Sequence, residues 1–117
     1  MDKIKELIAS TYNECEYPVC LSQAREWASS RPFEGLTILD ATPAFRNTLV
    51  KHLALIAAGA RLIVGRDAEG HLCDPSIINL LQESGIPIVS AAERQSEDVD
   101  VILDCAASFI HWEARLG

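Results

Sequence analysis

An α/β fold follows from three observations in the 117-residue sequence. Short runs rich in Leu, Ile and Val recur from Leu36 onward, segments with helical spacing separate them, and two of those segments open on an oxygen-bearing residue followed by proline and close on glycine. Strands alternating with helices are the pattern of a parallel sheet, and nearly continuous apolar strands are strands covered on both faces. The expected architecture is a three-layer, Rossmann-like open parallel sheet of about four strands with helices on both faces.

The strands are placed at residues 36–40, 61–64, 86–89 and 99–104. Between the first two, Thr42 is expected to cap a helix and Pro43 to begin it, with Phe45, Leu49, Leu53 and Ile56 as its buried face and Gly59 as its end. A hydroxyl accepts an orphan N–H there, and proline loses nothing at a position whose N–H has no partner. The next unit repeats this with Asp74 as cap, Pro75 as first residue, Ile77, Ile78, Leu80 and Leu81 as buried face, and Gly85 at the end. Two further helices are expected at residues 2–12 and 21–30. The stretch from Glu16 to Val19 separates them, with Pro18 breaking the pattern, and Arg31-Pro32 closes the pair. A last helix is expected at residues 106–115. Residues 1–30 thus read as a helical segment packed on an α/β domain of residues 31–117.

Composition bounds the function. Hydrophobic residues are 49% and charged residues 23%, so the chain folds by burying apolar surface and is neither disordered nor disulfide-dense. A formal charge of −7, with no run of like charges, argues against nucleic acid and against anionic membrane as partners. No run of apolar residues is long enough to span a bilayer, and residues 1–6 lack the apolar stretch of a signal peptide. The expected compartment is the cytoplasm. Cys15, Cys20, Cys73 and Cys105 lack a Cys-x-x-Cys spacing and are expected as free thiols.

In an open parallel sheet, ligands gather beyond the carboxyl ends of the strands where strand order reverses. With order 3-2-1-4 that crevice lies between the first and fourth strands. Its rim would carry Asp40, Ala41, Thr42 and Asn47 on one side and Asp104, Cys105 and Ser108 on the other. Asp40 and Asp104 could form a carboxylate pair that binds ribose hydroxyls or shares a proton, or each could cap its own turn. The helix start at Thr42 could receive an anion, whereas Asp74 would repel one at the second helix. Cys105, just past the fourth strand, is either a thiol of lowered pKa or an inert one. Cys73, His71 and Asp74 are metal-ligand types without a zinc spacing, so no metal is expected. Asp67 is expected in a solvated turn, His52 beside Lys51 at a polar surface, and His111 with Trp112 on a helix face or a partner interface.

Residues 31–104, about two-thirds of the chain, resemble the substrate-binding domain of S-adenosylhomocysteine hydrolases. The resemblance is carried by Arg31-Pro32-Phe33-Glu34-Gly35 before the first strand, Leu55-Ile56-Ala57-Ala58-Gly59-Ala60 at a helix end, Gln82-Glu83-Ser84-Gly85-Ile86-Pro87-Ile88, and Val101-Ile102-Leu103-Asp104. Asn47 and Thr48 fall where the family has a Gln-Thr pair near its ligand. The family's catalytic motifs are not retained: Pro43 stands at its histidine, Leu72-Cys73-Asp74-Pro75 at its Ser-Thr-Gln-Asp stretch, and of its acidic stretch only Asp104 remains, followed by Cys105-Ala106-Ala107.

The resemblance implies a domain that binds a nucleoside or related polar metabolite, without catalysis of its own, and the crevice residues together with those the resemblance adds make Asp40, Thr42, Asn47, Thr48, Asp104 and Cys105 the expected ligand-binding set. NAD enters only with an additional domain, since this chain has no Gly-x-Gly-x-x-Gly fingerprint. Two other classes stay open: the N-terminal part of an NAD-dependent oxidoreductase or hydrolase whose cofactor domain lies beyond Gly117, and an assembly or regulatory module that forms a homo-oligomer or docks on a partner domain.

Overall fold

A computed structural model describes residues 1–116. Helices α1 (Asp2–Thr11) and α2 (Pro18–Ser30) precede β1 (Thr37–Asp40), α3 (Leu49–Ala57), β2 (Arg61–Arg66), α4 (Pro75–Glu83), β3 (Ile88–Ser90) and β4 (Val101–Leu103). All strand pairs are parallel and the order is β3-β2-β1-β4, an open α/β sheet of Rossmann type. Order reverses between β1 and β4, as the crossover logic of the sequence requires.

Strand periodicity sorts the side chains between two cores. Ile38, Leu62 and Val64 face the helices and meet Ile4 and Ile8 of α1, Leu49 and Leu55 of α3, and Ile77 and Leu81 of α4. The N-terminal helices therefore share the main core with the sheet. Leu39, Ile63 and Val89 face the other way, against Phe109 and Trp112.

That third layer is not helical. Residues 106–115, expected as a helix, form successive turns, because the Asp104 carboxylate accepts the backbone N–H groups of Ala106 and Phe109 at 3.1 and 2.9 Å. A short acid offering such bonds competes with helical pairing, and Ala107 takes a left-handed φ of 55°. Phe109 is seated on Gly65, where a Cβ would lie 2.7 Å from its ring, and meets Trp112 edge-on with centroids 5.3 Å apart. The chain end is fastened beside β4, Arg115 N donating to Val99 O at 3.0 Å and its Nε lying 2.8 Å from Asp100 Oδ1.

Two other boundaries differ from the sequence expectation. Pro43 does not begin a helix: Ala44 forms a parallel bridge with Cys73, Asp74 N donates to Ala44 O at 2.9 Å, and a short 3-10 turn at Arg46–Thr48 leads into α3. A long-range backbone bond outweighs the local capping pattern there. Pro18 does not break a helix but occupies the first turn of α2, where its missing N–H costs nothing. Asp74 and Pro75 do start α4, the carboxylate accepting Ser76 N at 2.9 Å.

Candidate functional site

The β1 strand ends on Asp40, whose side chain is 0% exposed. By strand alternation it points to the same face as Ile38, toward α3, and α3 answers with Lys51 and His52. Lys51 Nζ donates to Asp40 Oδ1 at 3.1 Å and lies 2.9 Å from Oδ2; it also donates to the Thr42 hydroxyl. Thr42 in turn gives Oδ1 its hydroxyl at 2.7 Å and its backbone N–H at 3.1 Å. The strand end, the turn after it and the following helix thus converge on one carboxylate.

His52, also 0% exposed, brings Nε2 to 3.1 Å from Asp40 Oδ2, so that oxygen lies between the imidazole and the Lys51 ammonium. His52 Nδ1, on the other side of the ring, is buried with no hydrogen-bond partner among the described residues. Buried polar atoms are paired in the great majority of native sites, so this nitrogen is the exception in the cluster. Burial pushes the Asp40 carboxyl up, and the approaches of His52 and Lys51 with the Thr42 bond outweigh it, holding the pKa at about 2. Asp40 is a permanent carboxylate at neutral pH and no proton donor.

His52 was expected at a polar surface beside Lys51; it is instead wholly enclosed. The signal was present, since His52 stands midway between Leu49 and Leu55 at three-residue steps along the buried stripe of α3. Lys51, one position round the helix, keeps its side chain 35% exposed and carries charge from the cluster to the surface.

The other expected site residues separate into two groups. Thr42 belongs to the cluster, though it binds Asp40 rather than capping a helix. Asn47 is exposed, and Thr48 is half-buried with its hydroxyl exchanging bonds with Phe45 N and O at 3.0 and 2.8 Å, both in the turn leading into α3. Asp104 does not pair with Asp40. It follows Leu103, the register partner of Asp40, and so projects to the opposite face, where it closes its own turn. Cys105 is exposed beside it, on that same turn. The rim on the β1 side is assembled; the β4 side supplies a closed turn.

Elsewhere, Asp67 ties its loop by accepting His71 N and Leu72 N, each at 2.9 Å; burial pushes its carboxyl up, and these backbone bonds together outweigh it and hold the carboxyl below the usual range. Cys73 is half-buried, its thiol pushed up by burial and by the Asp67 charge. With Asp74 committed to α4, the grouping of His71, Cys73 and Asp74 does not form. The carboxylates of Asp67 and Glu69 do lie close to the His71 ring, on an exposed loop. His111 stacks beside Phe109 on the C-terminal turns rather than on a helix.

Next to the cluster, α2 and the helix-facing side of β1 and β4 enclose a groove of about 370 Å³. Lys51 is one of the residues that line it. No protein-family model and no curated protein sequence matches this chain. Among the described residues no helix is long and apolar enough to cross a membrane.

Proposed function

We propose that this chain is a binding domain for a small polar metabolite of the nucleoside class, related to the substrate-binding domain of S-adenosylhomocysteine hydrolases and without catalysis of its own. The observation that carries the proposal is the charged and polar cluster of Asp40, Thr42, Lys51 and His52 gathered at the carboxyl end of β1, with Lys51 and Thr42 partly exposed at its rim. That end lies where strand order reverses, the place where open α/β sheets receive ligands. A nucleoside offers ribose hydroxyls, which both donate and accept, as the mixed donors and acceptors of Thr42, Lys51 and Asn47 require.

Catalysis has little support in these residues. Asp40 is too acidic to serve as a base near neutrality, and no nucleophile stands against it. NAD belongs to this proposal only if a further domain supplies its site. The cytoplasm as compartment and a small molecule rather than nucleic acid or membrane as partner agree with free thiols and a charge of −7. A second reading, docking on a partner domain or a second copy, is favoured by one observation: α2 has no fully buried residue and leaves Val19 74% exposed.

A thermal-shift panel of adenosine, S-adenosylhomocysteine, S-adenosylmethionine, NAD and NADP tests the proposal. A nucleoside at a hundred times its Kd should add about 2.7 kcal/mol, a rise of several degrees. The rise should vanish in Thr42→Val and Lys51→Met. A panel in which nothing shifts the transition would overturn the reading.

A further inference from the structure

Away from the Asp40 cluster, β2 and β3 finish side by side and set two opposite charges on one cavity. Arg66 closes β2 in register with Ser90, the last residue of β3, and Ala91 N donates to Arg66 O at 2.8 Å. The chain then turns, Glu93 N donating to Ser90 O at 3.0 Å, which brings Glu93 round to the rim that Arg66 occupies. Both residues line a cavity of about 400 Å³ beside α4, a size in the range of small-molecule sites. Through Arg66 it reaches the carboxyl end of β2, the end of a parallel sheet at which ligands are held.

Neither charge is used by the fold. Among the described residues Arg66 and Glu93 form no ion pair, with each other or with any other side chain. Asp67, the acid next to Arg66 in sequence, is committed to its own loop through His71 N and Leu72 N. The guanidinium is nevertheless placed, since a Cβ on Gly70 would stand 3.7 Å from Arg66 Nη1. Ile78 and Ile88 give the cavity an apolar side, and the amides of Asn79 and Gln82 add donors and acceptors.

These two charges select the guest. A lone anion drawn to Arg66 is opposed by Glu93, and a lone cation drawn to Glu93 is opposed by Arg66. A molecule carrying both charges gains from each, its carboxylate matching the planar fork of the guanidinium and its ammonium the glutamate. We infer that this cavity is a binding site for a free α-amino acid with an aliphatic side chain, its carboxylate on Arg66, its ammonium on Glu93 and its side chain toward Ile78 and Ile88. None of these residues belongs to the Asp40 cluster, so the inference does not rest on nucleoside binding.

L-leucine, leucinamide and 4-methylpentanoate are matched probes that share the aliphatic group and carry both charges, the ammonium alone or the carboxylate alone. They are compared by amide NMR titration at about pH 6, where the amino groups are protonated. Leucine should give saturable shifts concentrated at Arg66, Gly70, Asn79, Gln82 and Glu93. Each single-charge probe should bind at least about tenfold more weakly, the weight of one charge-assisted hydrogen bond. Arg66→Gln should remove the advantage of leucine over leucinamide, and Glu93→Gln its advantage over 4-methylpentanoate. Both side chains are exposed and unpaired, so these variants should fold as the parent does. Equal binding of the three probes, leucine shifts centred on another surface, or no saturable shift up to the solubility of leucine would overturn the assignment.

Discussion

Asp40 and His52 lie 3.1 Å apart in full enclosure, a carboxylate and an imidazole in direct contact inside the fold. The pair is held by Lys51 from the surface side and by Thr42 from the turn, and the consequences for stability and binding separate cleanly.

Acid should reveal Asp40. Its folded-state pKa of about 2 lies below the ordinary value of 3.8, so its contribution is fully present above the unfolded-state pKa and is lost as pH falls through the folded one. The shift corresponds to about 2 kcal/mol. Urea denaturation followed from neutral pH down to pH about 2 should show this loss in the wild type, and Asp40→Asn should both lower stability at neutral pH and flatten the acid limb.

His52→Leu should lower stability at neutral pH by about 1–3 kcal/mol, because the imidazole 3.1 Å from Asp40 Oδ2 is one of the groups that keep this buried carboxylate ionised. Adenosine binding should weaken at the same time. Unchanged stability in urea denaturation would mean instead that Lys51 and Thr42 alone hold the carboxylate.

Gly65→Ala should cost about 1–3 kcal/mol. The new methyl would lie 2.7 Å from the Phe109 ring and 3.2 Å from Ala41 Cβ, so the third layer has to lift. Emission from Trp112, which packs on Phe109, should shift to the red, and Trp112→Phe identifies its share of the signal.

Asp104→Ala should lower stability by about 1–2 kcal/mol through loss of its two bonds to the Ala106 and Phe109 N–H groups. It should leave adenosine affinity unchanged, since the side chain faces away from Asp40. Calorimetric titration of the variant checks the second half.

Much of this architecture was legible from strand and turn chemistry. The apolar runs located all four strands, and Asp74-Pro75 marked the start of α4, because those signals are local and nothing distant opposes them. Where a long-range bond competed, local grammar failed: the Ala44–Cys73 bridge displaced the helix start from Pro43 to Leu49. The candidate site was half legible. Asp40 and Thr42 stood out as a strand-end acid and its neighbour, but pairing Asp40 with Asp104 ignored the alternation that sends residues one register step apart to opposite faces. The charge of Lys51 beside it makes His52 look like a surface residue, although neighbouring helix positions point one outward and one inward.

The most direct measurement is a two-dimensional amide NMR titration with adenosine. The account predicts saturable shifts concentrated at Thr42, Asn47, Thr48, Lys51 and His52, with the 104–109 turn unmoved. Shifts centred on any other surface, or no saturable shift at all, would contradict a nucleoside site at the carboxyl end of β1.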